Sequence, residues 1–283
     1  MDKVLLINKE KGYTSRDVVN VISKTFGERK VGHFGTLDPM ATGLLVIGLG
    51  ACTKIGNLFT DETKEYVVTV LVGKSTDTYD VTGNVLFTSD ERLEEDKLVS
   101  CLNNFIGTYE QEVPIYSAVK VNGKKLYEYA RSGLEVSLPK KEVTIFSIEY
   151  LGMNFDDSDT YFSFKCLVSK GTYIRSLIND ISVSLGIPMC MSALERTKCG
   201  DFSLDDAYTL SDISDGNFSF LSISDVLDVD VMEVPDSIKK LVLNGSCIDR
   251  ISDKYILFTL DGENISLYGV YNSVMKPYLT FKK

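Results

Sequence analysis

Glu142–Tyr150 and Tyr161–Val168 alternate apolar with polar side chains. A two-residue period marks extended strands with one face buried, so this chain is committed to a sheet. The segments before the pair supply more strands and the helices to cover them. Val4–Ile7 is a short apolar run that predicts a strand. Thr14 or Ser15 can cap a helix whose apolar positions, Val18, Val19, Ile22 and Phe26, fall at helical spacing, with Gly27 as its stop. Residues 31–43 predict a loop, Leu44–Leu49 a buried strand and Thr53–Phe59 a short helix.

Tyr66–Val72 and Val85–Thr88 are rich in strand formers and flank the polar turn Thr76-Asp77-Thr78-Tyr79-Asp80. A helix is expected from about Glu91 to Phe105. Asn122-Gly123 predicts a hairpin between Ala118–Val121 and a Tyr/Leu-rich segment. Gly171-Thr172-Tyr173 leads into a helix through Ile174, Leu177, Ile178 and Ile181 that ends at Gly186. Residues 203–228 are helical or irregular and acidic. From about residue 230 onward short strands are expected, with turns at Asn244-Gly245 and Asp261-Gly262. The fold class is therefore α+β: a mixed, largely antiparallel sheet with helices, followed by a small β-rich C-terminal appendage.

Composition narrows the function. Among 283 residues no run approaches the roughly 18 apolar residues of a membrane span, and the N-terminus carries no secretory pattern. A cytoplasmic protein, off the membrane, is expected. The six cysteines form no C-x-x-C pair and His33 is the chain's one histidine, which argues against zinc. The cysteines are expected to be reduced and mostly buried. Net charge is −10, which alone argues against a nucleic-acid partner. Ten of the acids lie in residues 201–236, which contain no Lys or Arg; the remaining 30 acids balance the 30 bases. Phosphates respond to the local field. Lys120, Lys124, Lys125, Arg131, Lys140 and Lys141 form a basic stretch that is equally consistent with a phosphate contact and with an ordinary solvated surface.

Three places could carry chemistry. Asp38 lies in a segment with Gly32, Gly35, Pro39 and Gly43, whose backbone is closely specified, and a residue before Pro is restricted. On local chemistry alone the better reading is a carboxylate that caps a turn before a buried strand. Arg175 falls in the first turn of a helix, where the dipole disfavours a cation, so it either has a carboxylate or phosphate partner or is a surface side chain. Asp77 and Asp80 could be read as a hydrolase carboxylate pair, but two acids in one polar turn usually cap it.

Taken in order, the segments resemble one family, the TruB-type tRNA pseudouridine-55 synthases. The matching blocks are Asn8-Lys9-Glu10-Lys11-Gly12-Tyr13-Thr14-Ser15; Gly32-His33-Phe34-Gly35-Thr36-Leu37-Asp38-Pro39 with Thr42-Gly43; Lys64-Glu65-Tyr66 with Thr76 through Gly83; Pro114 through Gly123 with Ala130-Arg131-Ser132-Gly133; Lys170-Gly171-Thr172-Tyr173-Ile174-Arg175; and Leu194-Glu195-Arg196-Thr197 with Gly200 and Phe202. They span roughly residues 3–205.

The resemblance implies a catalytic domain over 1–227 and a short PUA-like domain over 228–283. It implies Asp38 as the catalytic carboxylate, Arg175 as its partner, and Tyr66 as the ring that stacks on the target base. Lys9, His33, Asp80 and Tyr173 would order or line the substrate pocket. Lys120, Lys124, Lys125 and Arg131 are the candidates for phosphate contacts. The expected substrate is uridine 55 in the T-arm of tRNA, acted on by a monomer, with the base flipped out of its stack. Isomerisation moves the glycosidic bond from N1 to C5 and requires neither metal nor cofactor. A non-catalytic tRNA-binding or tRNA-folding factor on the same fold is the alternative. Glu10 stands where family members commonly have Pro.

Overall fold

A computed structural model describes residues 1–59, 63–156 and 159–281. From the N-terminus the chain forms β1 (Lys3–Lys9), α1 (Ser15–Phe26), β2 (Val31–His33), β3 (Thr42–Leu49) and the one-turn helix α2 (Gly56–Phe59). It continues with β4 (Lys64–Val72), β5 (Lys74–Thr76), β6 (Val85–Thr88), α3 (Glu95–Asn104), β7 (Gly107–Glu112), β8 (Lys120–Val121), β9 (Lys124–Lys125) and α4 (Leu126–Ser132). Next come β10 (Lys140–Asp156), β11 (Asp159–Val168), α5 (Ile174–Leu185), β12 (Met189–Cys199), β13 (Phe202–Ser203), α6 (Leu210–Asp215) and α7 (Ile223–Val226). The last elements are β14 (Val229–Glu233), α8 (Asp236–Leu243), β15 (Ile248–Asp249), β16 (Tyr255–Leu260), β17 (Glu263–Tyr271) and β18 (Val274–Thr280). No helix among the described residues is long and apolar enough to cross a membrane.

The chain divides into two compact units. One comprises Met40–Leu44 and Asp61–Leu204, the other Met1–Pro39, Leu45–Thr60 and Asp205–Lys283. The first is built on the strand order β12-β4-β11-β10-β7, all antiparallel. The head of β3 adds a parallel pairing to β12, Thr42 opposite Glu195 and Gly43 opposite Arg196. The alternating pair expected from the sequence is thus β10 and β11, in antiparallel register. On β11 the alternation buries Phe162, Phe164, Cys166 and Val168. α5 buries Ile174, Leu177, Ile178 and Ile181, the face its spacing predicted, and stops at left-handed Gly186.

In the second unit β3 pairs with β1 and, at its far end, with β2. α1 starts on a capping box between Thr14 and Asp17 and ends at left-handed Gly27, as its sequence indicates. A five-stranded sheet, β14-β16-β17-β18-β15, forms the C-terminal part of this unit. It has its own core of Val234, Val242, Ile248, Ile256, Phe258, Ile265, Tyr268 and Met275. The α+β class and the β-rich C-terminal sheet are as expected.

Three local expectations are corrected, and one strand is added. Residues 31–43 are not all loop, because β2 and the start of β3 lie within them. The hairpin at Asn122-Gly123 exists, with both residues at positive φ, but its ladder holds only two residue pairs and the Tyr/Leu-rich segment turns into α4. Asn244-Gly245 is the end of α8, where Ser246 N–H bonds the Leu241 carbonyl, and not a strand turn. β12 is an additional strand that the sequence does not predict, since its buried residues begin with three in a row, Met189, Cys190 and Met191, and do not alternate. Of the six free cysteines, Cys247 is exposed and the other five are buried.

Candidate active site

Asp38 is framed on both sides by bonds from earlier in the chain. The hydroxyl of Ser15, at the start of α1, accepts Leu37 N–H at 2.9 Å and donates to the Leu37 carbonyl at 3.2 Å. The Pro39 carbonyl accepts Gly12 N–H at 2.8 Å and Lys9 Nζ at 3.4 Å. Lys9 is fully buried, and its ammonium also donates to the carbonyls of Tyr13 (2.7 Å) and Glu10 (3.0 Å). Three carbonyl dipoles around one buried cation tie the Glu10–Tyr13 turn to the Asp38 loop. Glu10 contributes only its backbone here; the residue is exposed, so a carboxylate in place of the usual proline ring does not disturb the fastening.

The entry to the loop is fixed by Phe34. Its ring lies where a Cβ on Gly48 or Gly56 would come within 2.7 Å, and it packs on Phe59 with centroids 5.7 Å apart. The glycines at 48 and 56 are thus space for that ring. His33 ends β2 opposite Ile47 and is half-buried, as is Asp38.

In the other unit, Arg175 is 7% exposed, which rules out the surface reading. Its Nη1 donates to the Thr78 carbonyl at 3.2 Å and its Nη2 to the Tyr116 carbonyl at 3.1 Å. Nη1 stands 3.8 Å from Asp80 Oδ2. A guanidinium at a helix start is tolerated because a carboxylate and two carbonyl dipoles meet it. Asp80 is itself buried and held: Oδ1 accepts from Thr78 Oγ1 at 2.9 Å, Thr82 N–H at 2.9 Å and the Thr82 hydroxyl, leaving Oδ2 toward Arg175. Both oxygens of Asp77 are taken by Asn84, from the backbone at 2.8 Å and the amide at 3.0 Å. Asp77 closes a turn, which removes the carboxylate-pair reading.

Tyr66 is 8% exposed on β4, opposite Cys166 on one side and Arg196 on the other. Burial pushes its phenol above the ordinary tyrosine value, against the pull of Arg196, so the hydroxyl stays protonated at neutral pH. Arg196 is 1% exposed and donates from Nε to the Leu44 carbonyl at 2.7 Å. The sequence shows Arg196 within a matching block but gives no hint that a guanidinium is sealed beside the tyrosine. Tyr173 is half-buried at the start of α5.

Lys120, Lys124, Lys125 and Arg131 lie on the β8–β9 hairpin and α4. Lys124 Nζ sits 4.9 Å from the Tyr129 ring centroid, and Lys125 and the Arg131 guanidinium each lie 5.3 Å from Tyr127. Tyr127 and Tyr129 therefore interleave with Lys124, Lys125 and Arg131 and lie against their charged heads, an arrangement suited to a phosphate backbone. A cavity of about 670 Å³ beside Tyr129 is lined by Ile115, Leu134, Val136 and Leu138 and includes none of the candidate catalytic residues. Among the described residues no cluster of three or more His, Cys, Asp or Glu could hold a metal.

Residues 23–174 match the model of the TruB family pseudouridylate synthase N-terminal domain. A tRNA pseudouridine synthase B of Geobacillus thermodenitrificans is 38% identical, with 100% of each chain covered. That of Clostridium tetani is 40% identical over 94% of this chain and 91% of its own. Among solved structures, a Cbf5-Nop10-Gar1 complex matches with a TM-score of 0.69 at 23% identity, covering 99% of this chain and 84% of that one. An H/ACA RNP bound to a substrate RNA containing 2'-deoxyuridine gives a TM-score of 0.66 at 22% identity, covering 99% and 84%. These two likenesses speak to the fold, and the family model and the full-length relatives speak to descent: this chain belongs to the TruB family of pseudouridylate synthases.

Proposed function

We propose that this chain isomerises uridine 55 in the T-loop of tRNA to pseudouridine. The observation that carries the reading is end-to-end similarity to relatives named tRNA pseudouridine synthase B. The reaction breaks the N1–C1′ bond, forms a C5–C1′ bond, and moves one hydrogen from C5 to N1; no atom is gained and no electron is exchanged with a cofactor. In this reading Asp38 is the catalytic carboxylate, and the rigid backbone on both sides of it limits the reorganisation needed to reach the reacting carbon. Arg175, a buried guanidinium, is in this reading the carboxylate's cationic partner. Tyr66, a neutral phenol, offers a ring for the flipped uracil and a hydroxyl for proton transfer.

Lys9 orders the loop, while His33, Asp80 and Tyr173 meet the nucleotide. Lys120, Lys124, Lys125 and Arg131 meet phosphates. The separately cored C-terminal sheet supports assigning residues 228–283 to a small PUA-like domain behind a catalytic domain of 1–227. A single copy in the cytoplasm, where tRNA is found, suffices for this activity.

Mass-spectrometric mapping of tRNA incubated with the protein tests the reading. Pseudouridine at position 55 with the wild type, and none with Asp38→Ala at undiminished tRNA binding, is expected. Product from Asp38→Ala at the wild-type rate removes Asp38 from its role. No product from the wild type despite tight binding favours the non-catalytic binding factor.

A further inference from the structure

α5 begins without a side-chain cap. Its N-cap residue is Tyr173, which offers no oxygen to the first-turn N–H groups. The start of the helix is held from β7 instead. Gln111 is 1% exposed, and its Oε1 accepts Tyr173 N–H at 2.8 Å. Its Nε2 donates to the Tyr109 hydroxyl at 2.8 Å, and that hydroxyl donates to Asp180 Oδ2 at 3.2 Å. One residue along β7, the Glu112 carbonyl accepts the Ser176 hydroxyl at 2.8 Å.

The direction of this chain of bonds is forced. A backbone N–H can only donate, so the Gln111 amide must turn its oxygen to Tyr173. Its NH₂ then faces Tyr109, whose hydroxyl must donate onward to the carboxylate. β7 therefore grips α5 at Tyr173, Ser176 and Asp180, and the first two bracket Arg175. The guanidinium reaches two carbonyls, at 3.1 and 3.2 Å, on separate segments of chain. A shift of the helix start by a fraction of an ångström would break that fit.

We propose that Gln111, backed by Tyr109 and Asp180, is a positioning residue for the uridine isomerisation: it sets the Tyr173–Arg175 segment without itself touching RNA. This rests on the function proposed above. Gln111→Met keeps the length of the side chain and removes both hydrogen bonds. Turnover on a T-arm RNA is expected to fall by about 10- to 100-fold, as for other small misplacements of a reacting group, with the RNA dissociation constant unchanged. Tyr109→Phe cuts the next link and should lose turnover in the same direction by less.

Wild-type turnover in Gln111→Met overturns the inference, as does weakened RNA binding at unchanged turnover. If Gln111→Met does not fold, Tyr109→Phe decides, and unchanged turnover in it is equally fatal. A wild-type protein that makes no pseudouridine overturns the proposed function along with this inference, whereas an active wild type beside an equally active Gln111→Met variant overturns this inference alone.

Discussion

Arg175→Lys separates charge from geometry at the buried cation. The guanidinium spans the Thr78 and Tyr116 carbonyls at 3.2 and 3.1 Å and lies 3.8 Å from Asp80. An ammonium keeps the positive charge but is a single point, so it can satisfy one of these neighbours well and leaves at least one buried carbonyl without its donor. A hydrogen bond to a charged group contributes about 1.5–3 kcal/mol, and an orphaned buried acceptor costs a comparable amount. Lysine should recover part of this, leaving a net loss of about 2–4 kcal/mol. Expressed in the transition state, that loss corresponds to a turnover about 30- to 1000-fold slower. Release of tritium from C5-labelled uridine in a T-arm RNA reads the rate under single-turnover conditions, and a urea midpoint reads the part expressed as stability. A lysine variant within about threefold of wild type in rate, with an unshifted midpoint, would show that only charge is needed at this position.

Gly43→Ala should destabilise the chain by about 3–5 kcal/mol, read as a lower urea midpoint. The position has φ of +99°, and a Cβ there would lie 2.7 Å from the Arg196 backbone nitrogen, so an unchanged midpoint would contradict the register of β3 and β12. Asp180→Asn should show a pH-dependent gain. Burial and then Glu112 push the Asp180 carboxyl up to about 6 from an ordinary 3.8, against the Tyr109 hydrogen bond. The folded state thus holds the proton more tightly, and stability falls as pH rises between these values. Half exposure screens the effect to about 1 kcal/mol, so the Asn variant should be the more stable at about pH 7 and match wild type below about pH 4. Equal denaturation midpoints at neutral pH would count against it. Replacing Lys124 and Lys125 with Gln should weaken tRNA binding and lower the slope of log K against log salt by about 1–2; an unaltered slope would place the phosphate contacts elsewhere.

The sequence reveals elements whose burial follows one period. α1 and α5 announce themselves through apolar spacing and terminal glycines, and β11 through alternation. β12 stays hidden because its buried residues, Met189, Cys190 and Met191 in a row and then Leu194, Arg196 and Cys199, follow no single period. Residues Tyr127 and Tyr129 favour strands, yet they lie in α4, whose single buried residue, Leu126, leaves no helical stripe to read. The candidate site divides the same way. The bonds by which Ser15, Gly12 and Lys9 hold the residues on either side of Asp38 are not legible, because no local pattern links those positions. Arg175's misfit with the helix dipole did signal a partner, and Asp80 is one. Gln111 and Arg196 gave no signal, because a polar residue inside a strand looks the same from the sequence whether it faces water or is sealed in.

The pairing of Thr42 and Gly43 with β12 has a consequence in time. Leu44 and Arg196, which close that pairing, are 152 residues apart. At about 5–20 residues per second a ribosome needs roughly 8–30 s to deliver the second after the first. For that interval Thr42 and Gly43, which carry the chain away from Asp38, have no β12 to pair with. Truncation short of residue 196 leaves that pairing unmade and the β4 edge that β12 covers open, and should raise aggregation.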